Sequence, residues 1–394
     1  MAAFQDLTQR LDELHARDLY RQRRVLESPQ GREIVVDGRK LLNFCSNDYL
    51  GLAADDRLRT AFKAGVDRWG VGAGASHLVC GHSAIHHELE DALAEFVGRP
   101  RALLYANGYA ANVGVINALL SRGDYVFEDR LNHASLLDGG WISRAEFHWY
   151  RHADPAHLAG KLSALASDSG RRLVVSDGTF SMDGDLCPLD ALGPLCRDKS
   201  AWLMIDDAHG IGVVGAQGQG VVDPNKYGLD DVPVLVGTLG KAFGCFGAFV
   251  AGSDELIETL VQRSRNYIFT TALPPAVAAA CLAALELVKT EGWRRERLDQ
   301  LIARFRAGAK QLGIELLDST TPIQPLMVGE PGRALALSRA LEDRGLLVGA
   351  IRPPTVPRGT SRLRVTLTAA HEEADVDRLL AALGDALAEI DAAA

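Results

Sequence analysis

A single lysine stands in an apolar, glycine-rich stretch where its amine could do covalent chemistry. Lys241 follows the apolar run PVLVG, and it is the only cationic side chain between Lys226 and Arg263. A lysine in such surroundings loses its charge readily, and the neutral amine is the form that makes a Schiff base with a carbonyl compound. We therefore interpret Lys241 as a candidate nucleophile, with a solvated surface lysine as the alternative.

An acidic pair closes another apolar run. Asp206 and Asp207 follow AWLMI and precede Ala208 and His209, so a carboxylate is delivered to the end of an otherwise apolar strand. Burying a carboxylate without a partner costs several kcal/mol. A pyridinium N–H is a fitting partner, because the carboxylate keeps such a ring protonated and able to accept electrons. The alternative is an aspartate that caps the N-terminus of a helix.

Two further loops also follow apolar runs. Asn107-Gly108-Tyr109 lies between RALLYA and a helical pattern that runs through Leu120, and a glycine there exposes backbone N–H groups that can bind phosphate. His133 follows DYVFE, in a position from which an imidazole could stack on a planar ring. Taken alone, the first is equally an unliganded strand-to-helix turn, and the second is an ordinary loop histidine.

Other motifs for phosphate, nucleophilic or metal chemistry are absent from the sequence. The glycines of Gly70–Ala75 have the wrong spacing for a dinucleotide fingerprint, residues 240–241 lack the rest of a Walker A loop, and no G-x-S-x-G occurs. The six cysteines form no C-x-x-C pair, so neither a disulfide framework nor a zinc knuckle is indicated. His82, His86 and His87 do not match a zinc-protease motif, and we expect ordinary surface or helix-face histidines and no metal site.

The elements that must position these side chains follow from the alternation of short apolar runs with helical patterns over residues 46–290. The runs are RALLYA, DYVFED, RRLVVSDG, AWLMIDD, PVLVGTLG and GAFVAG. Such alternation is typical of an α/β domain with a mainly parallel sheet between helices. Its glycines cluster where strands end, which is where proteins of this class bind ligands.

Two smaller parts flank this large domain. Residues 1–45 are predicted to form an arm, with an amphipathic helix and a hairpin over residues 33–44 that turns at Asp37-Gly38. Residues 291–394 are predicted to form a smaller α+β domain with strands at IELLDS, IQPLMVG, LLVGAI and SRLRVTLT and a final helix.

Bulk composition favours small-molecule chemistry. The 394 residues are 47% hydrophobic, enough for a large core, and the net charge of −9 gives no field that attracts nucleic acid or anionic membranes. The longest nearly apolar stretch, Leu273–Leu285, contains two prolines and is shorter than the roughly 18 residues of a membrane span. The N-terminal sequence lacks the apolar core of a secretory signal, so we expect a cytoplasmic protein.

Motifs along the whole chain resemble the α-oxoamine synthases, a family of pyridoxal 5'-phosphate (PLP) enzymes. They are NFCSNDYLGLA (43–53), GASHLVCGH (74–82), HHELE (86–90), NHASLLDG (132–139), DGTFSMDGD (177–185), DDAHG (206–210), GTLGKAFG (237–244), IFTTALPP (268–275) and AIRPPTVPRGTSRLRVTLTAAH (350–371). The resemblance implies fold type I, in which a large α/β domain with a mainly parallel seven-stranded sheet is joined by a smaller C-terminal domain and an N-terminal arm. It also implies PLP as cofactor and a homodimer with shared active sites.

The resemblance assigns roles around this cofactor. Lys241 would hold PLP covalently, Asp206 would pair with the ring nitrogen, and His133 would stack on the ring. His209, which completes the implied catalytic set, and Ser181 would contact the side of the cofactor that carries the phenolic oxygen. The implied PLP-binding residues are Gly108, Tyr109, His133, Ser181, Asp206, His209, Thr238, Lys241, Thr270 and Thr271.

The phosphate of the cofactor would lie on the backbone N–H groups of Gly108 and Tyr109. The family commonly has Phe where Tyr109 stands, a departure that leaves backbone donation unchanged. Thr238 would assist, and Thr270 or Thr271 would reach the phosphate from the neighbouring subunit.

The implied activity is that of an acyltransferase. L-Alanine would condense with a pimeloyl thioester, carried by coenzyme A or an acyl carrier protein, with loss of CO2 on the route to biotin. Lys241 would remove the α-proton of alanine, Asn47 and Arg364 would hold its carboxylate, and Arg21 would lie at the acyl-chain entrance. Thr355 completes the implied substrate-binding residues.

Two alternative functions stay open. One is the sister activity of glycine C-acetyltransferase, and the other is a catalytically silent PLP-fold protein that serves as a regulatory or partner subunit. The intact Lys241 argues against the silent protein.

Arg362 and Arg364 share one face of the strand predicted at SRLRV. The pattern alone is equally consistent with two solvated arginines on an exposed sheet face and with a binding site for a carboxylate. The resemblance favours the carboxylate site, with Arg364 as its arginine.

Overall fold

The structure of the protein is a computed structural model that describes residues 4–166 and 170–393. The predicted arm and C-terminal domain extend to residues 1 and 394, so residues 1–3 and 394 of those predictions lie outside the described residues. The α-helices are α1 (Gln5–Ala16), α2 (Asp56–Trp69), α3 (Ala84–Phe96), α4 (Gly108–Leu119), α5 (Ala134–Ile142), α6 (Pro155–Ser163), α7 (Leu189–Asp198), α8 (Asp254–Arg263), α9 (Arg265–Ile268), α10 (Pro275–Thr290), α11 (Trp293–Gln311), α12 (Pro331–Asp343) and α13 (Glu373–Ala393). The strands are β1 (Glu33–Val36), β2 (Arg39–Asn43), β3 (Arg101–Tyr105), β4 (Tyr125–Asp129), β5 (Glu146–Tyr150), β6 (Arg172–Asp177), β7 (Trp202–Asp206), β8 (Val234–Thr238), β9 (Ala248–Gly252), β10 (Ile323–Gly329), β11 (Leu346–Leu347), β12 (Gly349–Ile351) and β13 (Ser361–Thr366).

The chain divides into two compact units. One contains residues 52–181 and 185–292, and the other contains residues 1–51, 182–184 and 293–394. We refer to them as the sheet unit and the terminal unit. The predicted division into an arm, a large domain and a small domain, with boundaries at residues 45 and 290, stays a prediction.

A seven-stranded sheet forms the centre of the sheet unit, with the strand order β3-β9-β8-β7-β6-β4-β5. All pairings are parallel except those of β9, which runs antiparallel to β3 and β8. β8 and β9 are buried along their whole length, as expected for apolar runs that are covered on both faces. The predicted α/β fold with a mainly parallel seven-stranded sheet is confirmed.

One strand of this sheet escaped prediction. β5, with the sequence EFHWY, lies at the edge next to β4, and only its last residue is fully buried. The alternation of apolar and polar residues in β5 is interrupted by His148 and Trp149, which are amphipathic. The strand therefore has no continuous apolar run from which it could be predicted.

The direction of the strands explains why the candidate residues meet. β4, β6, β7 and β8 are parallel, and β3 has the same direction because it pairs with β9, which is reversed. Their carboxyl ends therefore lie at one edge of the sheet. Each of the loops that the sequence singled out follows one of these ends.

The terminal unit contains two small sheets. The predicted N-terminal hairpin is confirmed as β1 and β2, and β2 also pairs in parallel with β11 to complete the order β1-β2-β11. The second sheet has the order β10-β13-β12 and is antiparallel throughout. α11 and α12 both pack against α13.

Two of the strands predicted in the C-terminal part differ from the structure. The segment LLVGAI is divided between β11 and β12, which belong to different sheets, with Val348 buried between them. IELLDS makes only an isolated bridge between Leu316 and Leu326. Among the described residues, no helix combines the length and apolarity needed to cross a bilayer.

Candidate active site

Asp206 ends β7 as a buried carboxylate held by neutral donors. The residue is 5% exposed. Its Oδ1 accepts from the backbone N of Ala208 at 3.0 Å, and its Oδ2 accepts from Nδ2 of Asn112 at 2.6 Å. No helix of the described residues begins between β7 and β8. The alternative of a helix N-cap is therefore wrong for both aspartates of this pair. Asp207 is instead enclosed in the following loop, where its Oδ2 accepts from the backbone N of Val221 at 2.7 Å.

A chain of hydrogen bonds connects Asp206 to His133. Nδ2 of Asn112 donates to Asp206 and also to Oγ of Ser135 at 2.8 Å, and that hydroxyl lies 2.7 Å from Nδ1 of His133. Because the Ser135 oxygen accepts from Asn112, its proton is directed to Nδ1 of His133. The histidine is then the neutral tautomer with its proton on Nε2.

The backbone of His133 is fixed by a third acid. Asp177, the last residue of β6, accepts from the backbone N of His133 at 2.8 Å through its Oδ2. Burial, reinforced by the negative charge of Asp206, raises the pKa of Asp177 well above its ordinary value. The hydrogen bond between Ser135 and the ring and the hydrogen bond from the backbone N to Asp177 together hold His133 beside Asp206.

The charges of Asp206 and Lys241 both act on His133. Burial lowers the pKa of His133, the negative charge of Asp206 opposes that shift, and the positive charge of Lys241 adds to it. Lys241 also acts on the buried carboxyl of Asp177. Asp206 and Lys241 are thus both close enough to His133 for their charges to act on it, and Lys241 is half-buried. The catalytic roles of these three residues stay predictions.

The loop after β8 is closed on itself and fixes the position of Lys241. Oγ1 of Thr238 donates to the carbonyl of Gly247 at 3.0 Å, and the backbone N of Gly244 donates to the carbonyl of Lys241 at 2.8 Å. Gly244 has φ +64°, and a Cβ on it would lie 2.4 Å from the backbone N of Ala53. Only glycine fits this close approach, which explains the glycine at this position.

The N-terminus of α4 offers an open anion site. Gly108 is the first helical residue, and Oδ1 of the N-cap Asn107 accepts from the backbone N of Ala110 at 2.9 Å. The N–H groups of Gly108 and Tyr109 precede this bond and have no intrahelical acceptor. A Cβ on Gly108 would meet nothing within 4 Å, so the approach to these donors is open. The side chain of Tyr109 donates to the carboxylate of Asp138 and does not alter the backbone donors.

These features fit PLP. Four features at one edge of the sheet match the parts of this cofactor. The buried carboxylate of Asp206 suits the ring nitrogen, and the neutral imidazole of His133 suits the ring face. The partly buried Lys241 suits the carbonyl carbon, and the N-terminus of α4 suits the phosphate. The buried Oδ1 of Asn112 has no hydrogen-bond partner among the described residues. An orphaned polar atom beside Asp206 is expected where a bound group completes the site.

The remaining predicted PLP-binding residues lie in the sheet unit in different environments. His209 is buried three residues after Asp206, and Ser181 is half-buried after β6. Thr270 and Thr271 are exposed, and Thr271 makes an isolated bridge with Ser76. The roles that the resemblance assigned to these four residues stay predictions.

In the terminal unit, both arginines of β13 are buried. Nη1 of Arg364 donates to Oδ1 of Asn47 at 3.2 Å and to Oγ1 of Thr366 at 2.9 Å. Arg362 instead pairs with the carboxylate of Asp183. With exposed fractions of 4% and 6%, neither arginine is solvated, and the alternative of an exposed sheet face is wrong.

Two other predicted substrate-binding residues also meet in the terminal unit. Nη2 of Arg21 donates to Oγ1 of Thr355 at 3.0 Å, although 334 positions separate them in the sequence. Both side chains are exposed at this contact.

Three residues of the site, Asn112, Ser135 and Asp177, were given no role from the sequence. Ser135 and Asp177 lie within the motifs NHASLLDG and DGTFSMDGD, and Asn112 lies in the helical pattern that follows Gly108. A signal was present for Asn112, because it stands four positions after Gly108 and so projects from the same face of α4. Ser135 acts through a contact between α4 and α5, and Asp177 acts through a contact between the end of β6 and the loop after β4. Spacing within one sequence does not reveal such contacts.

Comparison with known proteins adds relatives at high identity. Residues 39–383 match the family model of class I and II aminotransferases. The 8-amino-7-oxononanoate synthase of Pseudomonas putida strain F1 is 60% identical over 386 residues, which make up 98% of each chain. The protein of the same name from Pseudomonas syringae pv. syringae is 59% identical over 387 residues, 98% of this chain and 97% of the relative.

Solved structures of similar proteins cover nearly the whole chain. The serine palmitoyltransferase of Sphingomonas wittichii superposes with a TM-score of 0.91 at 31% identity, covering 98% of this chain and 97% of that one. A serine palmitoyltransferase of S. paucimobilis, solved with a PLP–myriocin aldimine bound, gives 0.92 at 30% identity over 99% and 98%. The 8-amino-7-oxononanoate synthase of Francisella tularensis gives 0.77 at 28% identity over 89% and 98%.

Proposed function

The chain belongs to the family of class I and II aminotransferases, and on that premise we propose that it catalyses the 8-amino-7-oxononanoate synthase reaction of biotin biosynthesis. In this reaction L-alanine condenses with a pimeloyl thioester, releasing CO2 and the free thiol. The observation that carries the proposal is the 60% identity over 98% of the chain to a relative of that name. The predicted family and fold type I are confirmed by the same relatives and by the PLP-containing structural neighbour.

PLP is the cofactor of this reaction, and when bound it supplies an electron sink for negative charge at the α-carbon of the amino acid. Asp206 holds a proton on the pyridine nitrogen, because a buried carboxylate favours the protonated ring. Asn112 donates to Oδ2 of that carboxylate and thereby orients it. His133 presents the face of a neutral imidazole to the ring.

Lys241 has two tasks in the proposed reaction. Its Nζ would hold the cofactor covalently between turnovers, and it would be a free neutral amine while alanine is bound. The free amine then removes the proton from the α-carbon of alanine. The closed loop after β8 holds the backbone of Lys241, which favours correct placement of the base.

The phosphate of PLP is bound by the backbone N–H groups of Gly108 and Tyr109. Thr238 would assist as a donor only if its hydroxyl turns away from the carbonyl of Gly247, to which it donates here. Ser181 and His209 contact the side of the cofactor with the phenolic oxygen. In a homodimer, Thr270 or Thr271 of the neighbouring subunit completes the phosphate site. The exposure of both threonines supports this proposal, since residues that serve a partner must be accessible to it.

Arg364 and Asn47 bind the carboxylate of alanine until that group leaves as CO2. Their mutual hydrogen bond and the burial of Arg364 support this assignment, because a guanidinium with a fixed fork binds a carboxylate with two charge-assisted bonds. Arg21 and Thr355, which contact each other, are proposed at the entrance for the acyl chain. The acyl donor is a pimeloyl thioester of coenzyme A or of an acyl carrier protein. A cytoplasmic location stays a prediction.

The decisive experiment identifies the product. The enzyme loaded with PLP is incubated with L-alanine and pimeloyl-CoA, and 8-amino-7-oxononanoate is sought by mass spectrometry. A parallel reaction with glycine and acetyl-CoA tests the sister activity, and Lys241→Ala is the control for a chain without the nucleophile. A product from glycine and acetyl-CoA alone would replace the proposal with that activity. Equal turnover by wild type and Lys241→Ala would refute both.

A further inference from the structure

Three side chains outside the site described above converge near the start of α3. His82 follows a π-helix over His77–Gly81, and His87 and Glu90 lie one turn apart on α3. Each of His82, His87 and Glu90 offers a ligand atom, and these atoms lie within 4.8 Å of one another. Two imidazoles and one carboxylate are a common donor set for zinc and related transition metals.

The geometry of His82 is that of a histidine prepared to bind through one ring nitrogen. Its Nδ1 lies 2.8 Å from Nδ1 of His77, and its Nε2 lies 3.9 Å from Oε2 of Glu90. With the shared proton on Nδ1 of His82, the lone pair of Nε2 is directed toward the carboxylate. Ligating histidines are oriented in this way by an outer partner at their second nitrogen, which is the part that His77 plays here.

The backbone that carries His82 is fixed. The backbone N of Gly81 donates to the carbonyl of Ser76 at 2.9 Å, and a Cβ on Gly81 would lie 2.1 Å from the carbonyl oxygen of Ala75. Only glycine fits this turn, so the position of the next residue is determined by packing. Fixed ligands lose little conformational freedom when a metal binds.

Glu90 supplies a carboxylate that is largely removed from water. It is 8% exposed, and its Oε1 accepts from the backbone N of Leu104 at 2.9 Å, which leaves Oε2 on the side of His82. A charged carboxylate in such a position is costly unless a cation compensates it. A divalent ion at Oε2 provides that compensation.

His87 completes the set from the solvent side. Its side chain is 70% exposed, with Nε2 3.8 Å from Oδ2 of Asp91, so it can turn toward the other two ligands without disturbing the core. Its exposure leaves room for water in the remaining coordination positions.

A second grouping, His77 with His82 and His86, is less suitable. Nδ1 of His86 accepts from the backbone N of Ser83 at 3.1 Å, and its Nε2 lies 2.6 Å from the carbonyl of Leu273. Both nitrogens of His86 are therefore engaged in capping α3 and in binding the chain at Leu273. A metal ligand in that position would have to break one of these bonds.

We propose that His82, His87 and Glu90 form a binding site for a divalent transition metal of the zinc type, with His77 as the outer partner of His82. The nitrogen-rich donor set distinguishes this site from those of Mg²⁺ and Ca²⁺, which prefer oxygen ligands. This site differs from the expectation from sequence that these histidines are ordinary and bind no metal. The sequence did not match a zinc-protease motif, because that motif has two histidines four positions apart on one helix. Here the helix α3 supplies one histidine, His87, and an acid one turn later, Glu90.

The test measures binding of zinc chloride alone to the tag-free enzyme loaded with PLP, by equilibrium dialysis with metal analysis. Wild type is expected to bind one Zn²⁺ per chain, and Mg²⁺ at equal concentration is expected not to displace it. His87→Ala removes an exposed ligand and should weaken zinc binding by at least about tenfold. His15→Ala, which removes another exposed helical histidine, should leave it unchanged.

A second variant guards against indirect effects on folding. Glu90→Gln retains an oxygen that can accept from the backbone N of Leu104 while removing the charge, and it should also weaken zinc binding. Zinc should raise the thermal midpoint of wild type and of His15→Ala but not that of His87→Ala. Equal zinc affinity in wild type and His87→Ala, or the absence of saturable binding to wild type, would overturn the site.

Discussion

The two buried arginines of β13 are two residues apart, but their surroundings differ. Arg362 pairs with the carboxylate of Asp183 and so has a structural partner within the terminal unit. Arg364 lies among the amide of Asn47 and the hydroxyls of Tyr49 and Thr366. These hydrogen bonds fix the direction of the buried guanidinium, and a guanidinium with a fixed direction suits a residue that binds an anionic substrate.

From this difference we expect Arg364→Ala to weaken the binding of alanine by roughly 1.5–3 kcal/mol, or about ten- to hundredfold. Arg362→Ala should change alanine binding much less and should lower the free energy of unfolding, because Asp183 loses its partner. The dissociation constant for alanine is measured from the absorbance of the bound cofactor. Equal, small effects of the two substitutions would show that the carboxylate is held elsewhere.

His371 makes stability depend on pH. Its Nδ1 accepts from the backbone N of Thr368 at 3.1 Å, its Nε2 donates to the carbonyl of Asn43 at 3.0 Å, and its ring stacks on Phe44. Burial lowers the pKa of His371 to about 4, from an ordinary value of 6.5. The folded protein therefore holds this ring neutral in a range where the unfolded chain protonates it.

Because the unfolded chain binds the extra proton, stability is lost as the pH falls from 6.5 toward 4. Between pH 7 and pH 5 the contribution of this one group is roughly 2 kcal/mol. Urea unfolding of wild type and of His371→Asn at both pH values isolates it, since asparagine does not titrate. The advantage of wild type over the variant should shrink at pH 5, and an identical pH dependence of the two proteins would contradict the assignment.

At the scale of elements, the contact between α2 and α10 requires small residues. A Cβ on Gly65 of α2 would lie 2.8 Å from Cα of Ala276 and 3.0 Å from Cβ of Ala279, both in α10. The alanine-rich sequence of α10 lets the two helices approach this closely. Gly160 of α6 offers a contrast, because nothing lies within 4 Å of a Cβ placed there.

We expect Gly65→Ala to lower the free energy of unfolding by roughly 1–3 kcal/mol, because the extra methyl group forces the helices apart. The same substitution at the exposed Gly160 should instead stabilise the protein by up to about 1 kcal/mol, through helix propensity alone. Chemical unfolding of both variants tests the comparison. A stabilising effect at Gly65 would mean that α2 and α10 are packed less tightly than the structure has them.

Strands with a continuous apolar run were predictable from the sequence. The strands with which they pair, and strands without such a run, were not. The buried strands β7 and β8 have continuous apolar runs, and both were predicted. β5 was missed because the amphipathic His148 and Trp149 interrupt its apolar pattern. LLVGAI was predicted as one strand although Leu346 and Ala350 pair in different sheets. Pairing partners lie far away in the sequence, so a local pattern does not contain them.

The same limit applies to the site. The types and positions of Lys241 and Asp206 predicted covalent chemistry, because a lysine and an acid at apolar strand ends are unusual in themselves. The contact from Asn112 to Asp206 spans 94 positions and follows only from the order of the strands. The pattern also left the burial of Arg364 open, since alternation assigns a face but not whether that face is covered.

At the scale of the whole molecule, shared active sites would make two inactive chains complement each other. In a mixture of Lys241→Ala chains with chains altered at Thr270 and Thr271, each mixed dimer has one site with an intact lysine and intact partner threonines. Refolding equal amounts together should restore roughly a quarter of wild-type activity, because half of the dimers are mixed and half of their sites are intact. Product formation measures it, with each variant refolded alone as the control. If no activity returns, each site is built from a single chain.

The pairing of β2 with β11 also determines when the terminal unit can form during synthesis. Leu42 pairs with Leu346, so the N-terminal hairpin lacks its third strand until some 300 further residues have left the ribosome. At translation rates of about 5–20 residues per second, that interval is roughly 15–60 s. The sheet unit, whose strands all lie between residues 101 and 252, can be complete by then. During this interval the edge of β2 that later pairs with β11 is unpaired in the nascent chain. A chain truncated before residue 346 should keep this edge unpaired and accessible to chaperones.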